Sequence, residues 1–138
     1  MPFIAGFGAY LPPRVVTNEE LAPLLGCTPA WIHAASGIEE RRYASAAESV
    51  EVMAARAGSN CLEQVGVMPS QIGMVVLASG SGERRFPGPA CSVAHALGLT
   101  DVPALDLPMA SAGALFGMSL ASQLCDKYKN ILVIAAEL

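Results

Sequence analysis

The chain predicts an α/β fold with a largely parallel sheet covered by helices, and three observations carry that reading. Residues 72–78, Ile-Gly-Met-Val-Val-Leu-Ala, form an almost unbroken apolar run, the pattern of a strand buried on both faces. Similar runs recur at 104–107 and 130–136. Between them lie segments with helical periodicity and capping signals, so strand and helix alternate as in βαβ units. Composition agrees. The 138 residues are 53% hydrophobic and only 14% charged, enough to bury a sizeable core in one small domain.

Taken in order, residues 3–10 read as a strand in which Gly6 and Gly8 allow close backbone approach. Leu11-Pro12-Pro13-Arg14 is a loop, and Thr17-Asn18-Glu19-Glu20 is a capping box that opens a short helix to Leu25. Thr28-Pro29 starts a second helix, with proline at the first helical position; it carries Trp31 and ends near Gly37. Residues 38–43 are a polar stretch with a short strand as one reading. Ser45-x-x-Glu48 is a further capping box, and Val50, Met53, Ala54, Ala57, Cys61 and Val65 follow at helical spacing. After a connection at 69–72 and the first parallel strand, residues 79–89 form a loop rich in Gly, Ser and Pro. Residues 90–97 are a helix closed by Gly98. Residues 112–127 are a helix between the last two strands.

The net charge of −4 and the absence of a basic stripe argue against nucleic acid. Neither a signal peptide nor a membrane span is visible; the richest apolar stretch, 102–122, is broken by Asp106 and Pro108. A cytoplasmic protein is expected. Cys27, Cys61, Cys91 and Cys125 form no Cys-x-x-Cys pair and no Cys/His cluster. Small buried apolar residues in a reducing compartment are favoured over a metal site or disulfides. His33 and His95 are far apart and lack a partner motif. The chain stops at the end of an apolar strand, so it is expected to be the front part of a larger fold.

The candidate chemistry lies in Pro-Ala-Leu-Asp-Leu-Pro-Met-Ala-Ser-Ala-Gly, residues 103–113. Ser111 falls where a strand ends and a helix begins. A side chain at such a turn is held rigidly, beside unpaired helix N–H groups and a partial positive charge. Those features suit a nucleophile that accepts an acyl group, because the N–H groups can stabilise the oxyanion. A disabled remnant and a plain helix N-cap are the other readings of Ser111. The Gly-x-Ser-x-Gly elbow is half met, since Met109 replaces its first glycine. Asp106, inside an apolar strand, must be paired or hydrogen-bonded if buried. Gly80-Ser81-Gly82 lacks a phosphate-loop ending and reads as a flexible loop.

Several ordered motifs give this chain a resemblance to the N-terminal part of the ketoacyl-acyl carrier protein synthases III of the thiolase superfamily. They are Gly6-x-Gly8-x-Tyr10-Leu11-Pro12, Val16-Thr17-Asn18, Trp31-Ile32, Ser36-Gly37-Ile38-Glu39-Glu40-Arg41, Phe86-Pro87-x-x-Ala90-Cys91, and Asp106 through Gly113. Each is weak alone; in order they are specific. The resemblance implies a thiolase-like layered fold of which residues 1–138 are a single, incomplete N-terminal half-domain. It implies acyl transfer from a coenzyme A or acyl carrier protein (phosphopantetheine) thioester, with no bound cofactor and no metal, in fatty acid or polyketide-type biosynthesis. The partners it implies are the acyl donor and a second copy, in a homodimer completed by a missing C-terminal half or a second chain. The family has cysteine where this chain has Ser111, and its helper His and Asn lie in the second half. A non-catalytic partner subunit and a Cys-to-Ser inactivated fragment are therefore the alternatives to a serine acyltransferase. Trp31 matches a residue that stacks on the coenzyme A adenine, against the plainer reading of a core or interface aromatic. Ala35 stands where the family has a phosphate-contacting arginine. Phe86 matches a residue that reaches toward the neighbouring subunit's acyl pocket, against ordinary loop packing. Arg41 matches a family arginine and is expected to hold its turn.

Overall fold

Three parallel strands organise the larger part of the chain. The structure, a computed structural model, describes residues 1–84 and 86–138. Residues fall into two compact units, Met1–Tyr10 with Glu48–Leu138, and Leu11–Ala47. In the first unit, strands β3 (Met74–Ala78), β4 (Ala104–Leu107) and β5 (Ile131–Ala135) form a parallel sheet in the order β4-β3-β5. Every residue of the central strand β3 is buried, as its continuous apolar sequence requires.

Helices cover both faces, and side-chain alternation assigns them. Val75 and Leu77 point into a core with Ala54 and Leu62 of α3 (Val50–Val65) and with Ala90, Val93 and Ala94 of α4 (Pro89–Ala96). On the other face, α5 (Gly113–Leu124) lies so close that a side chain at Gly117 would meet Val133, Leu107 and Val76. The order β4-β3-β5 makes α4 cross in one direction and α5 in the other. Right-handed crossovers of opposite direction place their helices on opposite faces.

The segment 3–10 departs from its expected strand. It has no ladder partner among the described residues and instead runs along α3. Asn60 Nδ2 donates to the Ala9 carbonyl at 2.8 Å, and a Cβ at Gly8 would run into the Ala57 and Cys61 backbone. The close approach foreseen for the glycines is present, then, against a helix rather than within a sheet. Tyr10 is tied down by its side chain: its hydroxyl donates to buried Glu48 and accepts from Arg56, whose guanidinium lies over the Tyr10 ring. The bond to Glu48, followed by burial, pushes the Tyr10 phenol above its ordinary pKa. Phe3, Ile4 and Phe7 remain exposed.

A second correction concerns the start of α3. Its N-cap is Ser49, which accepts from the Val52 N–H, rather than Ser45 of the Ser45-x-x-Glu48 box. Glu48 accepts from Tyr10 and Arg56. The cysteines also differ from expectation in part. All four are free, but Cys91 is exposed and the others are half-buried. Burial pushes the Cys61 thiol up, which disfavours the reactive thiolate.

In the second unit, β1 (Arg14–Thr17) pairs antiparallel with β2 (Glu40–Tyr43), which realises the short strand read at 38–43. Between them come α1 (Asn18–Leu25), capped by Thr17, and α2 (Pro29–Ser36), capped by Thr28 with Pro29 in its first turn. The Glu20 carboxylate pairs with Arg14 at 2.7 Å. Asn18 is buried; its Nδ2 donates to the Ile38 carbonyl at 2.7 Å and its Oδ1 accepts from Arg41 at 2.6 Å. Arg41 also donates to the Val16 carbonyl at 3.2 Å, so it holds the turn as expected. Asn18→Ala would take the donor from the Ile38 carbonyl and leave Arg41 with Val16 alone, and is expected to cost about 1–3 kcal/mol, read as a shifted midpoint in denaturant unfolding.

Candidate active site at the carboxyl ends of the parallel strands

Parallel α/β sheets place their ligands beyond the carboxyl ends of the strands. Here those ends are laced together. Ser79 N–H donates to the Leu107 carbonyl at 3.0 Å, and Ala136 N–H donates to the Ala78 carbonyl at 3.1 Å. The segment after β4 then turns sharply into α5. Met109 N–H bonds back to the Leu107 carbonyl at 2.7 Å, and Gly113 N–H reaches the Ala110 carbonyl at 3.4 Å.

Ser111 sits at the apex of this turn with φ of +54°. A non-glycine residue in the left-handed region is uncommon and costs on the order of 1 kcal/mol. The side chain is exposed, and among the described residues Oγ has no hydrogen-bond partner. Ser111 is not the N-cap of α5; that position is Ala112, and no side chain caps the helix. The capping reading of Ser111 therefore falls. What remains is a strained, presented hydroxyl beside the amino end of a 12-residue helix.

Gly113 explains how the helix comes so near. A Cβ there would lie 2.7 Å from the Ala78 Cβ, so α5 begins in direct contact with the end of β3. Asp106 is hydrogen-bonded, as a polar residue within an apolar strand requires. Its carboxylate accepts from the Ala90 N–H at 2.8 Å and so caps the amino end of α4.

The other sequence-derived candidates are more scattered. Phe86, between β3 and α4, is 95% exposed. Trp31 lies in the first turn of α2, in the second unit, and is 62% exposed, which excludes a core role within that unit. His95 stands in the last turn of α4, whereas it is the first turn of that helix that meets β4. His33 belongs to α2 in the other unit. No cluster of His, Cys, Asp or Glu able to hold a metal occurs among the described residues. A groove of about 630 Å³ runs between α3 and the end of α4, lined by Arg56, Glu63, Met68 and Leu97, but no residue of the Ser111 turn lines it.

One group escaped the sequence reading. Glu137, just past β5, accepts hydrogen bonds from Gly80 and Ser81 in the loop after β3. Its signal was an acidic residue directly after a buried parallel strand, at the same sheet edge as Ser111.

The fold is thiolase-like. The crystal structure of 3-oxoacyl-(acyl-carrier-protein) synthase III from Aquifex aeolicus VF5 superposes with a TM-score of 0.92 at 34% identity, covering 97% of this chain and 44% of that one. The priming beta-ketosynthase from the R1128 polyketide biosynthetic pathway gives a TM-score of 0.92 at 32% identity, over 97% of this chain and 41% of that one. In sequence, the beta-ketoacyl-acyl-carrier-protein synthase III of Serratia proteamaculans (strain 568) is 39% identical over 136 residues, 97% of this chain and 43% of that protein. No family model matches. The chain is thus homologous to the beta-ketoacyl-acyl-carrier-protein synthases III, and it spans less than half the length of these relatives.

Proposed function

We propose that this chain carries the nucleophile of a ketoacyl synthase III-type acyltransferase, and that Ser111 is that nucleophile. The observation behind this reading is the presentation of Ser111: a left-handed, exposed serine at a strand-to-helix turn on the carboxyl edge of a parallel sheet. Ser111 Oγ attacks the carbonyl carbon of an acyl thioester while a base takes its proton. The negative charge that develops on the carbonyl oxygen faces the first N–H groups of α5. The carbon–sulfur bond then breaks, the thiolate departs and takes up a proton, and an acyl ester remains on Ser111. A serine hydroxyl needs that base. None of the described residues hydrogen-bonds to it, so the base comes from the remainder of a full-length protein or from a second chain.

The donor in this reading is a coenzyme A or acyl carrier protein thioester, in fatty acid or polyketide initiation. Such a reaction draws on no resident metal or cofactor, and a cytoplasmic setting suits it. No helix among the described residues is long and apolar enough to cross a membrane. A two-fold dimer is the accompanying assembly, built around one half-domain of this kind in each subunit. Its support is the exposure of the apolar side chains Phe86, Leu115 and Phe116, together with the outer edge of β4, which has no strand partner among the described residues.

The test is the intact mass of the native protein, with whatever chain accompanies it, before and after a panel of acyl thioesters. An acyl-sized gain mapping to Ser111 is expected. Acylation of a companion chain alone would make this chain a non-catalytic partner, and no acylation at all would make it a disabled one. Trp31 separates the donors. If it stacks on adenine, Trp31→Ala is expected to raise KM for a coenzyme A thioester about tenfold with kcat little changed. With a carrier-protein thioester, which has no adenine, KM should stay the same. Equal KM values for mutant and wild type on both donors would remove Trp31 from the site.

A further inference from the structure

We infer that Glu137 is a positioning residue for Ser111, acting through the backbone of the loop after β3. The inference rests on the reading of Ser111 as the acylated residue. Its geometry is independent of that reading. The Gly80 N–H donates to both carboxylate oxygens of Glu137, at 2.9 and 3.1 Å. Ser81 Oγ donates to Oε2 at 2.6 Å and in turn accepts from the Leu138 N–H at 2.8 Å. Hydrogen bonds to an ionised carboxylate are shorter and stronger than neutral ones. A single side chain thereby closes the loop after β3 onto the end of β5.

Gly80, the residue so held, is pressed against the nucleophile turn. A Cβ at Gly80 would stand 2.8 Å from the Ala110 Cβ and 3.2 Å from the Ala110 nitrogen. Ala110 is the residue immediately before Ser111. Glu137 therefore reaches the strained residue through one glycine and one alanine. Strain of this kind persists only where surrounding structure over-determines it. Around Ser111 that structure comes from three sides: Gly113 against Ala78, the Leu107 carbonyl holding Met109, and Gly80 against Ala110. The first two belong to the sheet and α5. The third is a Ser-Gly-Ser-Gly stretch, 79–82, with high intrinsic freedom, and the Glu137 carboxylate holds it in place.

The expected signature is a change in the chemical step and not in donor binding, since Glu137 is engaged with loop backbone. In the intact protein, Glu137→Ala is expected to lower kcat for Ser111 acylation about tenfold, with KM for the thioester within about twofold. Glu137→Gln keeps one acceptor oxygen and should fall between. Amide hydrogen exchange should quicken in 79–82 and also in 109–113. Gly80→Ala, which pushes on Ala110 directly and leaves the carboxylate in place, should give the same kcat loss with KM held. An unchanged kcat in Glu137→Ala overturns the inference, as does faster exchange confined to 79–82. Should the wild-type protein prove not to be acylated at Ser111, the function proposed above fails, and the exchange measurement alone then decides whether Glu137 orders the Ser111 turn.

Discussion

Ser111→Ala is expected to abolish acylation while leaving the fold intact. Removing a covalent nucleophile takes away the bond-forming atom itself, and losses above about a thousandfold are usual. Nothing in the surroundings needs the hydroxyl: among the described residues Oγ has no hydrogen-bond partner, and α5 takes no cap from it. Ser111→Gly sharpens the test. At φ of +54° a glycine relieves the left-handed strain, so this variant should be equally inactive yet more stable than wild type by about 0.5–1 kcal/mol. Greater stability together with lost activity would identify Ser111 as a residue kept for chemistry at a cost to the fold. Ser111→Cys should acylate faster than wild type and depend less on a base, because a helix amino end lowers a thiol pKa. Mass spectrometry of the acyl adduct, with thermal unfolding of each variant, reads all three outcomes. Retained acylation in Ser111→Ala would remove Ser111 from the mechanism.

Much of this architecture is legible from the sequence because its signals are local. The apolar run in β3, the threonine caps of α1 and α2, and the strand-to-helix switch at Ser111 depend on residues within a few positions of one another. The misreadings share a cause. The segment 3–10 has strand chemistry, but a strand is defined by its partner, and among the described residues this segment pairs with no strand and runs along α3. The Ser45-x-x-Glu48 box fits the capping pattern, yet α3 is capped by Ser49, and Glu48 also bonds Tyr10 and Arg56, which are 38 and eight positions away. The role of Glu137 is illegible in sequence for the same reason, since its partners Gly80 and Ser81 lie more than fifty positions earlier. Ser111 could be placed at its turn from sequence, but its left-handed backbone could not. That conformation follows from packing between β3, the loop after it, and α5.

Gly113 is where that packing admits least change, and Gly113→Val is expected to be the most damaging single substitution near the site. Its Cβ would stand 2.7 Å from the Ala78 Cβ, closer than side-chain carbons come, and valine adds two methyl groups beyond it. Both partners are buried, so the strain is relieved only by moving the amino end of α5 away from β3. Overpacking of this kind costs about 1–3 kcal/mol. The displacement also carries Ser111 and the first helical N–H groups together, so acylation should fall along with stability. A double-mutant cycle separates this cause from a general intolerance of α5 to substitution. Ala78→Gly alone should be mildly destabilising, because a strand glycine loses packing and gains unfolded-state entropy. Combined with Gly113→Ala it should recover stability and acylation relative to Gly113→Ala alone, since the two Cβ atoms that collide are then one. Residues in contact couple by about 0.5–3 kcal/mol, and here the sign must be favourable. Simple additivity of the two losses would show that Gly113 is required for some reason other than its contact with Ala78.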